Sequence, residues 1–344
     1  MIRFNNDYSE TCHERILNKL AQTLGAQTGG YGEDPYCEEA ASIIRNITGR
    51  EDAAVHFLVG GTQTNLTVIS AALRPHQCAV CAVTGHINVH ETGAIEAAGH
   101  KVMAIESTDG KLSAEQVRQI YKEHWEDESH EHIAQPKLVY ISNSTEIGTI
   151  YTKKELEELY KACGETGMYL FVDGARLGYA LASERNDLDL KTIARNCDVF
   201  YIGGTKCGAM FGEAVVILND NLKEDFRYII KQRGGMLAKG WLLGVQFSEL
   251  LRDGLYFELA EHADRLAGKI KKAVTDAGYE LYSESPTNQQ FIILPDRLIE
   301  KLSEKYTLSY QKRIDENRSA VRICTSWATD EKNVDMLIRD IKEG

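Results

Sequence analysis

At 344 residues, 43% of them hydrophobic, the chain has ample material for a buried core. It is longer than most single cores and too short for three ordinary domains, so one large domain with a smaller one attached is expected. Lys and Arg number 39 against 51 Asp and Glu, and the net charge of −12 argues against a nucleic-acid or anionic-membrane partner, whose phosphates would call for clustered cations.

The first residues, Met1-Ile2-Arg3-Phe4-Asn5-Asn6-Asp7, show no basic leader, apolar stretch or cleavage site, and no later segment approaches an uninterrupted membrane span. A cytoplasmic protein is therefore expected. Strand-like runs rich in Val, Ile, Tyr and Phe fall at 54–59, 78–83, 101–105, 137–142, 169–173, 198–202 and 214–218. Between them, stretches such as 113–125 and 152–165 repeat with helical period and begin with capping residues. This alternation predicts an α/β fold with a mostly parallel sheet of seven strands, covered on both faces, with ligands bound beyond the carboxyl ends of the strands. Residues 122–132 lack apolar period and read as a solvated helix end and loop, with His130 and His132 in solvent. Residues 241–277 read as one long, nearly unbroken helix leaving the large domain, followed by strands near 280–282, 291–294 and 320–325 in a small α+β domain. The division expected is an N-terminal arm and large domain over 1–245 and a small domain over 246–344. Eight cysteines read as buried thiols of a reducing compartment; Cys78 and Cys81 have redox or zinc spacing, but no second pair answers them.

The polar motifs lie where the strands end. Gly60-Gly61-Thr62-Gln63-Thr64-Asn65 opens a helix and offers free backbone N–H groups and the positive end of a helix dipole to an anion, although Gly-Gly-Thr is also an ordinary cap. His86, after the second run, has a flat ring able to stack on a pyridine and to exchange protons near neutrality. The rival reading there is a zinc site of His86, His90 and Glu91, for which no further ligand presents itself. Asp173 ends the fifth run in Asp173-Gly174-Ala175-Arg176, and about thirty positions later Lys206 follows Gly203-Gly204-Thr205. A carboxylate and an amine so placed suit pyridoxal 5'-phosphate, the amine on its aldehyde and the carboxylate on its ring nitrogen. Arg176 could reach the cofactor phenolate or a substrate carboxylate, or form a plain surface pair with an acid. Arg322, inside the strand Ala320-Val321-Arg322-Ile323-Cys324, needs a partner, either a substrate α-carboxylate or a buried structural acid.

Taken in order and spacing, these motifs resemble the β-eliminating lyase group of fold type I pyridoxal phosphate enzymes, and within it the low-specificity L-threonine aldolases, including phenylserine aldolase-like members. The resemblance runs through nearly the whole chain, from Tyr31-Gly32-Glu33-Asp34-Pro35 through Thr145-Glu146-Ile147-Gly148-Thr149-Ile150-Tyr151-Thr152 to Val321-Arg322. It implies that Lys206, His86 and Asp173 are catalytic. Cofactor contacts would come from Gly60, Gly61, Thr62, His86, Asp173, Arg176, Thr205 and Lys206, with the phosphate on Gly61 and Thr62. Ser9, Arg176 and Arg322 would grip the substrate carboxylate. It also implies a homodimer or homotetramer with shared sites, in which Tyr31 and Lys239 reach across from a neighbour. One position departs from the pattern: many threonine aldolases have a histidine where this chain has Thr145. The expected reaction is retro-aldol cleavage of L-threonine, L-allo-threonine or a related β-hydroxy-α-amino acid to glycine and an aldehyde, with His86, or a water it orders, as candidate base. The alternatives are a β-eliminating or aminotransferase-like enzyme and a non-catalytic binding protein.

Overall fold

The protein, described here from a computed structural model, is defined over residues 1–344. A two-residue strand, β1 (Ile2–Arg3), comes first. Seven strands then build the central sheet: β2 (Ala54–Leu58), β3 (Gln77–Ala82), β4 (Lys101–Ile105), β5 (Gln135–Ser142), β6 (Tyr169–Asp173), β7 (Val199–Gly203) and β8 (Glu213–Ile217). Their spatial order is β2-β8-β7-β6-β5-β3-β4. Pairings from β4 across to β7 are parallel, and β8 alone runs against its neighbours β7 and β2. A parallel crossover needs a dozen or more residues, usually a helix. The segment between β7 and β8 carries no helix, so the chain simply reverses there.

Each of the expected strand runs is found, and 101–105 and 169–173 coincide with β4 and β6. β3, β7 and β8 are buried throughout, as strands covered on both faces must be. The helices Ala114–Glu126 and Lys153–Thr166 start on full capping boxes from Ser113 and Thr152. Two apolar cores lie on the two faces of the sheet, and the helix Gly61–Ala72 covers the face that carries Tyr140, Phe171 and Tyr201.

Two expectations are corrected. The helix over 241–277 is two helices, Trp241–Leu251 and Leu255–Asp276, because Asp253 (φ 59°) and Gly254 (φ 79°) adopt the left-handed conformation that ends a helix. His132 is exposed, but His130 is half-buried, its ring 5.6 Å from that of the buried His124. The segment 122–132 is thus partly packed. The first residues pack against the last: β1 pairs with β11 (Tyr306–Thr307), and Phe4 is fully buried among Leu266, Ile292, Val321 and Leu337. The rest of that small unit is an antiparallel sheet of β9 (Leu281–Ser283), β10 (Gln289–Pro295), β12 (Ser309–Arg313) and β13 (Arg318–Cys324), in the order β12-β13-β10-β9. No disulfide forms, and all eight cysteines are buried. No helix is long and apolar enough to cross a membrane.

Candidate active site

Strand parity explains why one carboxylate is so strongly held. Asp173 ends β6 level with Ser142 of β5, and the register of β6 with β7 carries Asp173 towards Tyr201. Tyr140 and Tyr201 therefore stand on the same sheet face as Asp173, and each phenol donates to it at 2.5 Å. The Ala175 N–H (2.9 Å) and the Asn65 amide (3.1 Å) complete the set. Burial would raise this carboxyl, but His86 and the donors from Tyr140, Tyr201 and Ala175 outweigh it and hold the group below the ordinary aspartate value. Gly203 makes the junction possible, because its N–H meets the Gly174 carbonyl at 3.0 Å and a Cβ there would lie 2.6 Å from that oxygen.

Opposite Asp173 begins the helix Gly61–Ala72. Its N-cap, Gly60, has no side chain to satisfy the first turn, so the N–H groups of Gly61 and Thr62 are free towards the cleft that both residues line. One turn in, the fully buried Asn65 amide donates to both Asp173 and Glu91, the latter at 2.6 Å. Glu91 in turn meets Nδ1 of His86 at 2.7 Å. A hydrogen-bonded chain thus runs from His86 through Glu91 and Asn65 to Asp173. His90 is not part of it, and no group of three or more His, Cys, Asp or Glu is arranged to hold a metal ion.

Lys206 lies in the turn after β7 and lines the same cleft. The Tyr179 hydroxyl donates to its carbonyl at 2.5 Å. Behind it, Glu213 at the start of β8 accepts from the Thr205 hydroxyl (2.8 Å) and the Gly204 N–H (3.1 Å), fixing the turn. Burial and the Arg176 charge lower the lysine from its usual value, against the opposing pull of Asp7, Asp173 and Glu213. Burial also raises Glu213. The consequence is an amine with a larger neutral fraction near neutral pH than an exposed lysine has.

The cleft, about 180 Å³, brings together Gly60, Gly61, Thr62, His86, Asp173, Arg176, Thr205 and Lys206. Ser9, Tyr31, Lys239 and Arg322 do not line it. Arg176 is tied to the buried Asp7 by bonds of 2.7 and 3.0 Å, so it is neither free nor a surface pair. Asp7 is further held by the Asn288 amide. Burial would raise its carboxyl, but Arg176 and Lys206 bring it down to about 2. Arg322 on β13 has only neutral partners, the Asn5 carbonyl at 3.0 Å and the Gln289 side chain at 3.2 Å, and its buried Nε has none. Ser9 is exposed and donates to Asn6. Tyr31 and Lys239 are exposed, in touching segments, the Tyr31 N–H meeting the Ala238 carbonyl at 3.4 Å. Thr145 is buried and turned away, bonded to Thr149. Asp7, Asn65, Tyr140, Glu146, Tyr201 and Glu213 were not singled out from the sequence, and Glu91 was considered only as a zinc ligand. The two tyrosines carried a usable signal, since period-two counting puts Tyr140 with Ser142 and Tyr201 with Gly203.

The chain is 30% identical to the low specificity L-threonine aldolase of Pseudomonas aeruginosa, over 98% of this chain and 96% of that one. It is 31% identical to the same enzyme of another Pseudomonas, with the same coverage. A solved threonine aldolase of Leishmania major superposes with a TM-score of 0.97 at 46% identity, covering 100% of this chain and 99% of that one. An aspartate aminotransferase of Thermus thermophilus, 17% identical with a TM-score of 0.72 over 100% of this chain and 91% of that one, shares the fold. The β-eliminating lyase family model matches residues 10–296, and the chain belongs to that family of lyases.

Proposed function

We propose that this protein is a pyridoxal phosphate-dependent aldehyde-lyase that cleaves L-threonine, L-allo-threonine or related L-β-hydroxy-α-amino acids to glycine and an aldehyde. The observation that carries the reading is the convergence, in one cleft, of a lysine amine of lowered basicity with a buried carboxylate held ionised. The residues fit the cofactor on their own terms. Free N–H groups at Gly61 and Thr62 suit its phosphate, with Gly60 and Thr205 alongside. Asp173 suits its ring nitrogen, His86 its ring face, and Lys206 its aldehyde. When bound, the cofactor supplies a sink for the electron pair left by the broken Cα–Cβ bond.

The chain's own groups do the rest. Asp173 stays ionised because four donors hold it, and Glu91 fixes the His86 ring by its Nδ1. Arg322 is the stronger candidate for the substrate carboxylate, because its charge is met only by carbonyl oxygens, whereas that of Arg176 is already met by Asp7. Burial, then the charges of His86, Arg322, Arg176 and Lys206, lower His90. Ser9 remains a proposed substrate contact through movement of the N-terminal arm.

The division at residue 245, a cytoplasmic location and a homodimer or homotetramer belong to the same proposal. Exposed Tyr31 and Lys239, lying together outside the cleft, are consistent with serving a neighbouring subunit's site. Product analysis tests the reaction. Glycine with acetaldehyde from L-threonine is expected. A 2-oxo acid with ammonia would instead identify an eliminating enzyme and overturn the proposal.

A further inference from the structure

One wall of the cleft, formed by Ser142, Ser144 and Glu146, has no part in holding the cofactor in the reading above. Ser142 ends β5, and the loop beyond it is anchored where Thr145 bonds to the N–H and hydroxyl of Thr149. That anchoring withdraws Thr145 from the cleft and leaves Glu146 on its wall. Oε1 of Glu146 accepts from the Ser142 hydroxyl at 2.6 Å and from the His86 backbone N–H at 3.0 Å. Its Oε2 takes no hydrogen bond from another residue. One oxygen is thus fixed by two donors, and the other keeps its accepting capacity. Beside it the Ser144 hydroxyl is buried, without a partner, on the same wall.

We propose that Glu146 is the base that removes the β-hydroxyl proton of the substrate, an inference that rests on the retro-aldol reading. The O–H bond breaks and its proton passes to the free oxygen of Glu146. The pair from that bond forms the second C–O bond of the aldehyde. The Cα–Cβ bond breaks, its pair remains with Cα, and one proton delivered to Cα completes glycine, so substrate and products balance. Burial raises the Glu146 carboxyl; the Ser142 hydroxyl draws it down, Asp173 pushes it up again, and His86 opposes. A carboxylate so placed is a better proton acceptor than an exposed one. The other titratable groups that feel it, Cys81, Tyr140 and Tyr151, are all raised, chiefly by burial, and stay neutral. His86 is the competitor, with its Nδ1 already committed to Glu91.

The experiment uses the cofactor-loaded enzyme and its Glu146→Gln, Glu146→Asp and His86→Asn variants. It records kcat and KM for L-threonine against pH, the absorbance of the bound cofactor, and glycine affinity by spectral titration. The expected result is that Glu146→Gln lowers kcat by roughly 100-fold or more. The same variant should lose the acid limb of the kcat/KM profile and keep the parent's cofactor band and glycine affinity, while Glu146→Asp recovers part of the rate. Cleavage at the parent rate, or an acid limb that vanishes only in His86→Asn, would overturn the assignment. So would loss of the cofactor band and glycine binding together with cleavage, which is the signature of a structural role. A parent that releases no aldehyde would overturn the retro-aldol reading itself; an active parent with an indifferent Glu146→Gln overturns this step alone.

Discussion

Asp7 and Arg176 form an ion pair largely withdrawn from water, and such pairs are costly to break from one side. Asp7→Ala is expected to lower stability by about 3 kcal/mol by leaving the guanidinium buried and unpaired, measurable by urea denaturation. The carboxyl also ties stability to pH. Its folded value, about 2, lies below the ordinary aspartate value, so its contribution is present above the unfolded value and is lost as pH falls through the folded one. The loss is about 2 kcal/mol between roughly pH 5 and pH 2, and it should be missing in Asp7→Asn. Asp173 is expected to act on rate. Asp173→Asn keeps the shape but removes the charge, and kcat should fall by about 100-fold or more in a steady-state assay. Lys206, Asp173 and His86 drew attention because each lies at, or a few residues beyond, the end of a strand in a short motif. Asn65 and Glu91 lay inside quoted motifs, yet their roles depend on partners far along the chain, such as Asn65 with Asp173. Sequence spacing does not encode those contacts. Ser9 was named through the family resemblance, in the arm where Asp7 holds Arg176.

Elements follow their local chemistry closely wherever that chemistry is local. The capping boxes at Ser113 and Thr152, and the apolar strands buried on both faces, were readable for that reason. The break at Asp253 and Gly254 was missed although Asp-Gly is a turn signal, because the helical period on both sides masks it. β12 was missed as well, since Ser309–Arg313 is a largely exposed, polar edge strand without alternation. Two glycines give opposite predictions. Gly254 has φ 79°, so Gly254→Ala should cost about 1 kcal/mol. Gly268 sits inside the helix Leu255–Asp276 with nothing near its missing Cβ, so Gly268→Ala should gain about 1 kcal/mol. Paired denaturation curves check both signs.

At the scale of the molecule, the chain closes on itself. β1 pairs with β11, Phe4 enters the C-terminal core, and Asp7 then holds Arg176 beside the cleft. Removing residues 1–8 is therefore expected to expose the small unit to hydrogen exchange and to free Arg176, while the central sheet keeps its protection. No sequence period announces a pairing between the first residues and residues near 306. The central claim concerns the floor of the cleft, where Lys206 and Asp173 converge on one bound cofactor. The most direct measurement is the absorbance spectrum of the protein with pyridoxal phosphate, beside Lys206→Ala, before and after L-threonine. The account predicts a band at roughly 410 to 430 nm that is absent from the variant, and acetaldehyde release by the parent alone. A spectrum without that band, or one that Lys206→Ala leaves unchanged, would contradict it.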